Sequence, residues 1–389
     1  MKILFFSPYF HPYTSGVTTY PLKVLTHLAK NNDVTVLTFL YEHELSNQVT
    51  HNKLTIIRMP FLFKISKGFI SPQSIFYFLN KINKSDLVIL NQPNFEGLFL
   101  AIIAKILNKK IISIFHCQVF LSKNIINNII SFFLNLSMKI QLKLSNKIVT
   151  YTEDYFDSFD ELKQFRNKTI STLPPIDKLK SDNNYLSKLK KIKKNNIWIG
   201  YSGRIASEKG LEYLIEAIHN IVIPAPDETR GQAPAGIRIV FAGPYGKDVA
   251  DENNYYQKIK ELLARDKIKH SFFGNLTSKQ LGSFYKMIDV LVLSSVNQTE
   301  AFGMVQAEAM IAGTPVIASN LPGVRMPIKL TKMGIIVESK NTKQIKQAIL
   351  EILSNRNKFS NNELIKNAKN IFDIKKVYKF YENLINNEI

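Results

Sequence analysis

The sequence predicts an α/β protein of two domains, each a parallel sheet with helices on both faces. Its 389 residues, 45% of them hydrophobic, exceed the roughly 100–200 residues that one domain usually holds. Short apolar runs alternate with segments of helical periodicity, and this alternation is typical of doubly wound folds. The alternation begins again after a stretch rich in Lys and Asn at residues 174–196, which we expect to join the two domains.

The N-terminal domain is predicted over residues 1–180. Val17–Lys30 has apolar residues at helical spacing and follows a loop rich in Pro and Tyr, Pro8–Gly16. Strand-like apolar runs recur along this part of the chain, at Lys2–Ser7, Asp33–Thr38, Leu54–Met59, Leu87–Leu90, Lys110–Phe115 and Lys147–Tyr151.

The C-terminal domain is predicted over residues 181–374. Helices are expected from Gly210 and over Phe302–Ala312, and a surface loop over Pro224–Gly236. The amphipathic last segment, Lys375–Asn387, is expected to form one more helix. Strands are expected at Asn196–Ser202, Ile237–Ala242, Ser271–Phe273, Val290–Leu293 and Thr314–Ala318.

The net charge of +20, with a pI of about 9.6, limits the classes of partner. Such a field attracts polyanions, which include nucleotides, anionic lipid surfaces and nucleic acid. A compositional bias toward Lys, Asn and Ile would give the same charge, so the sequence leaves both explanations open. No zinc-binding, RNP-like or helix-turn-helix signature is present, and a nucleic-acid partner is therefore not predicted.

The cysteine and hydropathy patterns predict a cytoplasmic protein. The single cysteine, Cys117, excludes an intrachain disulfide, and Met1 leads into an apolar strand without a secretory signal. No uncharged apolar run approaches the roughly 20 residues of a membrane span. The nearest, Gly97–Ala104, ends at Lys105.

The segment Glu300–Gly323 predicts a ligand site at the end of a strand. A polar loop follows the strand Val290–Leu293, and a helix expected to start near Phe302 would direct its first N–H groups at an anion. Glu300 precedes this helix and Glu308 lies two turns inside it, so their carboxylates would reach different parts of a ligand. Both could instead lie on a solvated helix face, but the apolar neighbours of Glu308 favour a specific partner.

A second group of candidate residues lies in Gly200–Gly210, where a strand ends in a glycine turn. Arg204 and Lys209 follow that strand, and such a pair of cations can hold a diphosphate. Fixed cations there would favour a transition state in which charge builds on a departing phosphate. Taken alone, these two side chains would be ordinary surface residues.

These segments resemble family 4 of the retaining glycosyltransferases, whose members have the GT-B fold of two Rossmann-like domains with a cleft between them. The family's hallmark is two glutamates separated by seven residues, with Phe-Gly after the first, as in Glu300-Ala-Phe-Gly and Glu308 here. Gly203-Arg204 with Glu208-Lys209-Gly210 is similar to its donor-phosphate segment. Further matches extend over nearly the whole chain, at Thr150–Glu153, Pro174–Asp177 (without the usual Asn-Gly), Gly243, Phe273–Leu276 and Asp289–Ser295.

The resemblance implies a nucleotide-sugar donor, and it assigns roles to single residues. Glu308 would bind the ribose hydroxyls, and Glu300 would bind the donor sugar. Arg204 and Lys209 would bind the diphosphate and, with Glu300 and His116, form the catalytic group. The remaining donor-binding positions would be Gly16, Gly203, Asn275, Leu276, Phe302, Gly303, Met304 and Val305.

Two of these positions come from the N-terminal domain. Ser15-Gly16-Val17 resembles the family's glycine loop, although only one of the usual paired glycines is present. His116 matches a strand-end histidine near the reacting sugar, whereas a lone histidine after an apolar strand is ordinarily a packed residue. Met326 stands where relatives commonly carry Glu, and no role is assigned to it.

The mechanism that the resemblance implies is front-face substitution with retention, in which the departing phosphate takes the acceptor's proton. It implies no protein nucleophile, no cofactor and no metal, since Arg204 and Lys209 would supply the cation's charge. Lys375–Asn387 would cross back to the N-terminal domain, which permits closure over the donor.

The acceptor is expected on the N-terminal domain, where Phe61–Ile70 and Ser122–Lys147 mix apolar residues with lysines. A basic amphipathic surface can lie on an anionic membrane. The acceptor would then be a lipid-linked saccharide or another surface-glycan precursor, and the protein would be peripheral on the inner face of the cell membrane. The alternative is a helix that faces the core and has a solvated lysine face.

Two other functions fit parts of the sequence. A sugar-nucleotide epimerase of similar fold would need acid/base groups and no acceptor, and the Glu300…Glu308 pattern argues against it. A non-catalytic protein that binds membrane or nucleic acid would turn over no donor, and the intact Arg204 and Lys209 argue against that. The sequence identifies neither the sugar, the nucleobase, the acceptor nor the oligomeric state.

Overall fold

The structure is a computed structural model, and it describes residues 1–65, 68–120, 125–219, 221, 236–249 and 252–387. The chain forms two compact units, residues 1–175 with 374–389 and residues 176–373. The expected domain ends at 180 and 375 therefore lie five residues and one residue from the observed ones. Of the surface loop expected at Pro224–Gly236, all but Gly236 lies outside the described residues.

The strands of the first unit are β1 Lys2–Phe6, β2 Asp33–Phe39, β3 Gln48–His51, β4 Leu54–Met59, β5 Phe63–Ile65, β6 Gly68–Ile70, β7 Leu87–Gln92, β8 Lys110–Phe115, β9 Lys147–Thr150 and β10 Thr169–Ser171. Among the described strands, eight form one sheet in the order β10-β9-β8-β7-β1-β2-β4-β3, and β5 pairs with β6 in a separate antiparallel hairpin. The sheet is mixed, because β3 runs antiparallel to β4 at its edge. β3 is largely exposed and has no buried face, so its sequence carries no strand pattern.

The helices of this unit are α1 Gly16–Leu28, α2 Ser74–Ile82, α3 Gly97–Ile106, α4 Ile125–Leu144 and α5 Glu153–Phe156. The expected helix Val17–Lys30 matches α1 to within two residues at each end. Helices α2 and α3 bury Phe78 and Leu100 against strand residues such as Phe6 and Leu90, in one apolar core. The central strands are buried on both faces, which explains their continuous apolar runs.

The second unit contains strands β11 Ile197–Ser202, β12 Ile237–Ala242, β13 His270–Phe272, β14 Val290–Leu293, β15 Val316–Ser319 and β16 Gly334–Val337. Its helices are α6 Asn183–Lys193, α7 Leu211–His219, α8 Asn253–Arg265, α9 Ser278–Met287, α10 Met304–Ala312, α11 Met326–Thr331, α12 Thr342–Ser354, α13 Arg356–Phe359 and α14 Asn362–Ile371. The strands form a sheet in the order β13-β12-β11-β14-β15-β16, with every described pairing parallel. Numbered from its own first strand, this order is 3-2-1-4-5-6, that of the Rossmann fold.

The C-terminal helix α15, Ile374–Asn387, belongs to the first unit and packs on α1. The hydroxyls of Tyr20 and Tyr381 lie 2.8 Å apart in a buried contact. His27 stacks on Tyr378 with ring centroids 4.0 Å apart and bonds Glu382 at 2.8 Å. The helix was expected from its amphipathic pattern, and these contacts show which face of it is covered.

Candidate functional site

The sheet order of the second unit locates a ligand site. The connection from β11 leads to β12 on one side, whereas β14 leads to β15 on the other, so the order reverses between β11 and β14. Open α/β sheets bind ligands at such a switch point, beyond the carboxyl ends of the strands. The loops that follow these two strands, residues 203–210 and 294–303, contain Arg204, Lys209 and Glu300.

Glycines allow three successive loops to meet at this edge. The N–H of Gly203, after β11, donates to Ala242 at 2.9 Å, and that of Gly243, after β12, donates to Gly274 at 2.8 Å. A Cβ atom on Gly243 would lie 2.3 Å from the Gly203 carbonyl oxygen. These backbones therefore touch, and Asn275 is exposed in the last of the three loops with Leu276 half-buried beside it.

The loops after β11 and β14 are joined by direct contacts. Ser294 donates from Oγ to the Lys209 carbonyl at 2.9 Å, and the N–H of Val296 donates to the Glu208 carbonyl at 3.0 Å. Gly210 lies at this crossing with φ +58, and a Cβ atom there would come within 2.4 Å of Val296. The crossing requires glycine both for its left-handed conformation and for the close approach.

An ion pair links the two groups of candidate residues. Lys209 Nζ donates to Glu300 Oε2 at 2.6 Å, and the two side chains are 14% and 18% exposed. Sequence reasoning gave these residues separate partners, phosphate and sugar, whereas here each holds the other in position. Arg204 is more open: its side chain is 46% exposed and donates to Glu208 Oε1 at 2.9 Å.

Helix α10 begins at Met304, two residues later than expected. Gly303 has φ +75, outside the helical region, and a Cβ atom there would meet Leu293 Cδ2 at 2.5 Å. The first N–H groups of the helix are thus those of Met304 and Val305, while Phe302 is buried rather than helical. The expectation of a helix over Phe302–Ala312 was wrong at its start, because the glycine sets the helix entry.

Glu308 has a partner that the sequence did not indicate. The hydroxyl of Tyr285, a fully buried residue of α9, donates to Glu308 Oε2 at 2.8 Å. Ser202 Oγ, at the end of β11, lies 3.1 Å from the same hydroxyl. Burial, and then the charge of Glu308, raise the pKa of Tyr285 well above its usual value, so it remains a hydrogen-bond donor. Glu308 is half-buried beside the carboxyl end of β11, not on a solvated face.

A second residue unforeseen in the sequence, Gln306, fixes the start of α10. It is buried, and its Nε2 donates to the carbonyls of Phe302 and Val324, both at 2.9 Å. Tyr285 lies outside every motif identified in the sequence, and Gln306 lies inside the Glu300…Glu308 segment without an assigned role. The contacts of Tyr285 with Glu308 and of Gln306 with Val324 join different segments of the chain, so only the packed structure reveals them.

In the first unit, His116 lies inside the protein. It is 1% exposed. Its Nδ1 lies 2.5 Å from Tyr151 Oη, and its Nε2 lies 2.5 Å from Asn91 Oδ1. Burial lowers its pKa to about 3, so the ring is neutral. Direct contact with a donor sugar would require the exchange of one of these hydrogen bonds, and the catalytic role of His116 stays a prediction.

Asn91, not foreseen in the sequence, connects His116 to the expected glycine loop. Its Nδ2 donates to Ser7 Oγ and to the Val17 carbonyl, both at 3.0 Å. Ser7 follows β1 and Val17 lies in the first turn of α1, next to the exposed Gly16. One buried network thus joins the loop after β1 to the end of β8.

The described residues contain no group of three or more His, Cys, Asp or Glu side chains arranged to hold a metal ion. The positive side chains at the switch point are Arg204 and Lys209. That catalysis needs no metal and no cofactor remains a prediction.

Comparison with known sequences finds similarity to glycosyltransferases, most of it in the second unit. Residues 183–371 match the family model described as Glycosyl transferases group 1. An uncharacterised glycosyltransferase of Methanocaldococcus jannaschii is 35% identical over 155 residues, which cover 40% of this chain and 35% of that protein. A second one from that organism is 24% identical over 367 residues, covering 91% of this chain and 89% of the relative. The chain thus spans about a third of the length of the first relative and most of the second.

Comparison with solved structures assigns the fold. The crystal structure of Anabaena Alr3699/HepE in complex with UDP and glucose matches with a TM-score of 0.76 at 16% identity, over 100% of both chains. At that identity the match establishes the fold alone. The chain has the GT-B fold of two Rossmann-like α/β domains, and the match to the group 1 glycosyl transferase model lies within the second of them.

Proposed function

We propose that this protein is a retaining glycosyltransferase that moves a sugar from a nucleoside diphosphate to a saccharide acceptor. The observation that carries the proposal is the arrangement at the switch point of the second unit. Two cations and three carboxylates lie there, with Arg204 bonded to Glu208, Lys209 bonded to Glu300 and Glu308 held by Tyr285. The match of residues 183–371 to group 1 glycosyl transferases supports the same activity.

The donor would lie along the carboxyl edge of the sheet. Its diphosphate would contact Arg204 and Lys209 and the first N–H groups of α10, where the helix dipole favours an anion. The ribose would bond to Glu308, and the base would lie in the loop of Asn275 and Leu276. A UDP-sugar is the first donor to test, because a structure of the same fold contains UDP and glucose.

The transfer would proceed on one face of the sugar. The bond from the anomeric carbon to the β-phosphate oxygen breaks, and the acceptor hydroxyl forms its bond to that carbon from the same side. The acceptor's proton passes to the departing phosphate, so no protein base or nucleophile is required. Arg204 and Lys209 would stabilise the charge that develops on the phosphate, while Glu300 holds Lys209 and the donor sugar's hydroxyls.

The charge of these two side chains would replace that of a metal ion. We therefore expect transfer to continue in the presence of excess EDTA. Loss of transfer on chelation, with recovery on adding Mg²⁺ or Mn²⁺, would contradict this part of the proposal. The epimerase alternative is not favoured, because the family matched by the second unit is one of transferases.

The acceptor would be a lipid-linked saccharide or another precursor of a surface glycan, used at the inner face of the cell membrane. The support for this part comes from the first unit, which combines lysines with exposed apolar side chains.

The test is a thermal-shift screen of UDP, GDP, ADP and their sugar conjugates. A nucleotide at 100 times its dissociation constant should add about 2.7 kcal/mol to the free energy of unfolding. Glu308→Ala should reduce the shift, because the ribose loses its carboxylate partner. Glu261→Ala, which changes an exposed glutamate of α8, is the matched control and should leave it unchanged. A folded protein that no nucleotide stabilises would refute the proposal.

A further inference from the structure

Three neighbouring helices of the first unit expose apolar side chains. Helix α3 packs against both α2 and α4. We call the outward side of these helices the three-helix surface, formed by Phe76 and Leu79 of α2, Phe99, Ile102 and Ile106 of α3, and Ile125, Ile126, Ile129, Phe132, Phe133 and Leu136 of α4. Isolated exposed apolar residues are ordinary, but contiguous ones mark an interaction surface.

The first half of helix α4 presents apolar side chains to the outside. Ile125, Ile129, Phe132 and Leu136 share one helical face, and Ile125 and Phe132 are 79% and 63% exposed. The alternative of a helix that faces the core with a solvated lysine face is therefore wrong for residues 125–136. Residues 122–124 of the expected segment lie outside the described ranges.

The inward face of α4 combines buried Met138 and Leu142 with polar contacts. Ser137 donates to the Phe95 carbonyl at 3.0 Å, and Gln141 donates to the Asn94 carbonyl at 3.0 Å. Asn135 accepts from Gln118 at 2.7 Å. Polar groups that face the protein and apolar groups that face outward suit a lipid environment rather than water.

The helix is better placed to lie on a membrane than to cross one. Among the described helices, α4 alone is long and apolar enough to span a bilayer, by length and composition only. The helix is not uncharged over its full length, because Lys139 and Lys143 lie in its last turns. Lys139 bonds Glu161 at 2.6 Å, and the polar contacts of Ser137 and Gln141 hold the same half against the first unit.

The hairpin β5–β6 adds to the exposed apolar residues beside α3. Buried Glu96, the residue before α3, accepts from the N–H of Phe69 at 2.5 Å and so fixes the hairpin there. The hairpin's first strand exposes Phe63 and Ile65, with Lys64 between them. Residues 66 and 67 of the expected segment lie outside the described ranges.

Lysines outnumber acidic residues in the segments that form this surface, although Glu161 from a later segment pairs with Lys139 of α4. Residues 61–150 contain eleven lysines and only two acidic residues, Asp86 and Glu96. Glu96 is buried, and Asp86 accepts from the backbone N–H of Lys2 at 2.7 Å. A second copy of this chain seated on the surface would bring lysines against lysines, whereas anionic headgroups would neutralise them.

We propose that the three-helix surface docks on the anionic face of a phospholipid bilayer. Its apolar side chains enter the boundary between headgroups and acyl chains, and the surrounding lysines contact the headgroup phosphates. This proposal names the membrane partner and the surface that binds it. It rests on the proposed function only for the lipid-linked acceptor. The docking itself is tested without any transfer assay.

The experiment is co-sedimentation of the full chain with vesicles of phosphatidylcholine alone or with 30% phosphatidylglycerol. We expect at least tenfold tighter binding to the anionic vesicles, weakened by 0.5 M NaCl. Ile129→Ser with Phe132→Ser should lower this binding tenfold or more, because it removes two exposed apolar side chains without adding charge. Leu330→Ser, at a 38% exposed leucine of α11 in the second unit, is the matched control and should bind as the wild type does.

Several results would overturn the proposal. Equal binding to both vesicle types would show that anionic headgroups are not needed, and unchanged binding of the double variant would show that α4 is not the contact. Retention on vesicles after alkaline carbonate washing would indicate an inserted protein. A dimer in solution that the double variant abolishes would indicate that a second copy covers the surface. The thermal shift with nucleotide separates this inference from the donor site. If the double variant no longer binds vesicles but still shows the thermal shift with nucleotide, the docking proposal is supported. If the wild type binds vesicles but shows no thermal shift with any nucleotide, only the proposed transferase function is refuted.

Discussion

Lys209 and Glu300 are the two residues on which the candidate chemistry depends most directly. They are 91 positions apart in the sequence and form a partly buried ion pair at 2.6 Å. The pair fixes the ammonium group at the edge of the sheet, where a diphosphate would accumulate charge. A carboxylate that positions a cation in advance reduces the reorganisation needed in the transition state.

Replacement of Lys209 by Ala should lower kcat/KM for transfer about 10²–10³-fold, in the range seen when one charge-stabilising group is removed. Steady-state transfer from the donor identified by thermal shift would measure this. Lys358→Ala breaks a comparable ion pair, with Glu351 at 2.7 Å, on the surface of the same unit. If Lys209→Ala and Lys358→Ala had equal kcat/KM, Lys209 would have no role in the transfer reaction.

Tyr285 is a positioning residue, because it would act on the ribose only through Glu308. Tyr285→Phe removes the hydroxyl that donates to Glu308 Oε2 at 2.8 Å while keeping the buried ring. We expect the dissociation constant for nucleotide to rise about 3–10-fold, the equivalent of one hydrogen bond, with kcat nearly unchanged. Titration calorimetry would measure the dissociation constant, with Tyr256→Phe of α8 as the control. Equal affinities of the two variants would show that Glu308 binds the ribose without the hydrogen bond from Tyr285.

His116 should make the stability of the protein depend on pH. Its pKa is lowered to about 3 by burial, against about 6.5 in an unfolded chain. Below pH 6.5 the unfolded state therefore binds more protons than the folded state, and stability falls as pH falls toward 3. This one group contributes up to about 1.4 kcal/mol per pH unit.

Urea unfolding at pH 7 and pH 5 would check the histidine prediction. His116→Gln has no titrating ring, so its free energy of unfolding should fall less between the two pH values than that of the wild type. The comparison uses the pH dependence, because the lost hydrogen bonds lower the variant's stability at both. An identical dependence in the two proteins would mean that the pKa of His116 is the same in the folded and unfolded states.

At the scale of elements, the entry to α10 depends on a glycine. Gly303 has a left-handed backbone conformation with φ +75. A Cβ atom added to it would lie 2.5 Å from Leu293 and 2.7 Å from Gln306. Strand β14, the loop and the helix therefore meet without room for a side chain. The helix N-terminus proposed for the diphosphate is set by this single residue.

Gly303→Ala should destabilise the second unit more than Gly274→Ala does. Both glycines have similar positive φ, +75 and +66, but an added Cβ atom at Gly274 meets nothing within 4 Å. Gly274→Ala isolates the conformational cost of roughly 1–2 kcal/mol, and Gly303→Ala adds the steric clash. Denaturant midpoints would measure both, and equal losses would show that the neighbours of Gly303 yield freely.

At the scale of the whole molecule, the net charge of +20 is unevenly used. In the second unit, Arg204 and Lys209 are paired with carboxylates at a defined site. In the first unit, the segment of residues 61–150 carries the exposed apolar side chains together with eleven lysines and two acidic residues. A uniform compositional bias explains the total charge, but it does not explain apolar side chains exposed among those lysines.

Local pattern predicted much of the fold. Strands β11 to β15, α1 and α15 appear within a few residues of their expected positions, whereas β16 was not predicted. Hydrophobic periodicity records which residues share a face, and that information is local. It could not predict β3, which has no buried face, or the start of α10, which a steric contact with Leu293 decides.

The sequence by itself determined the α/β class, the two-domain division and the residue types at the candidate site, because spacing and glycine position are properties of the chain. Only the tertiary structure decided that Lys209 bonds Glu300, that Tyr285 supports Glu308, and that α4 presents its apolar face outward. The physical reason is the same in each case. Periodicity defines a face but not what covers it, and the partner of a side chain depends on the order in which strands and helices pack.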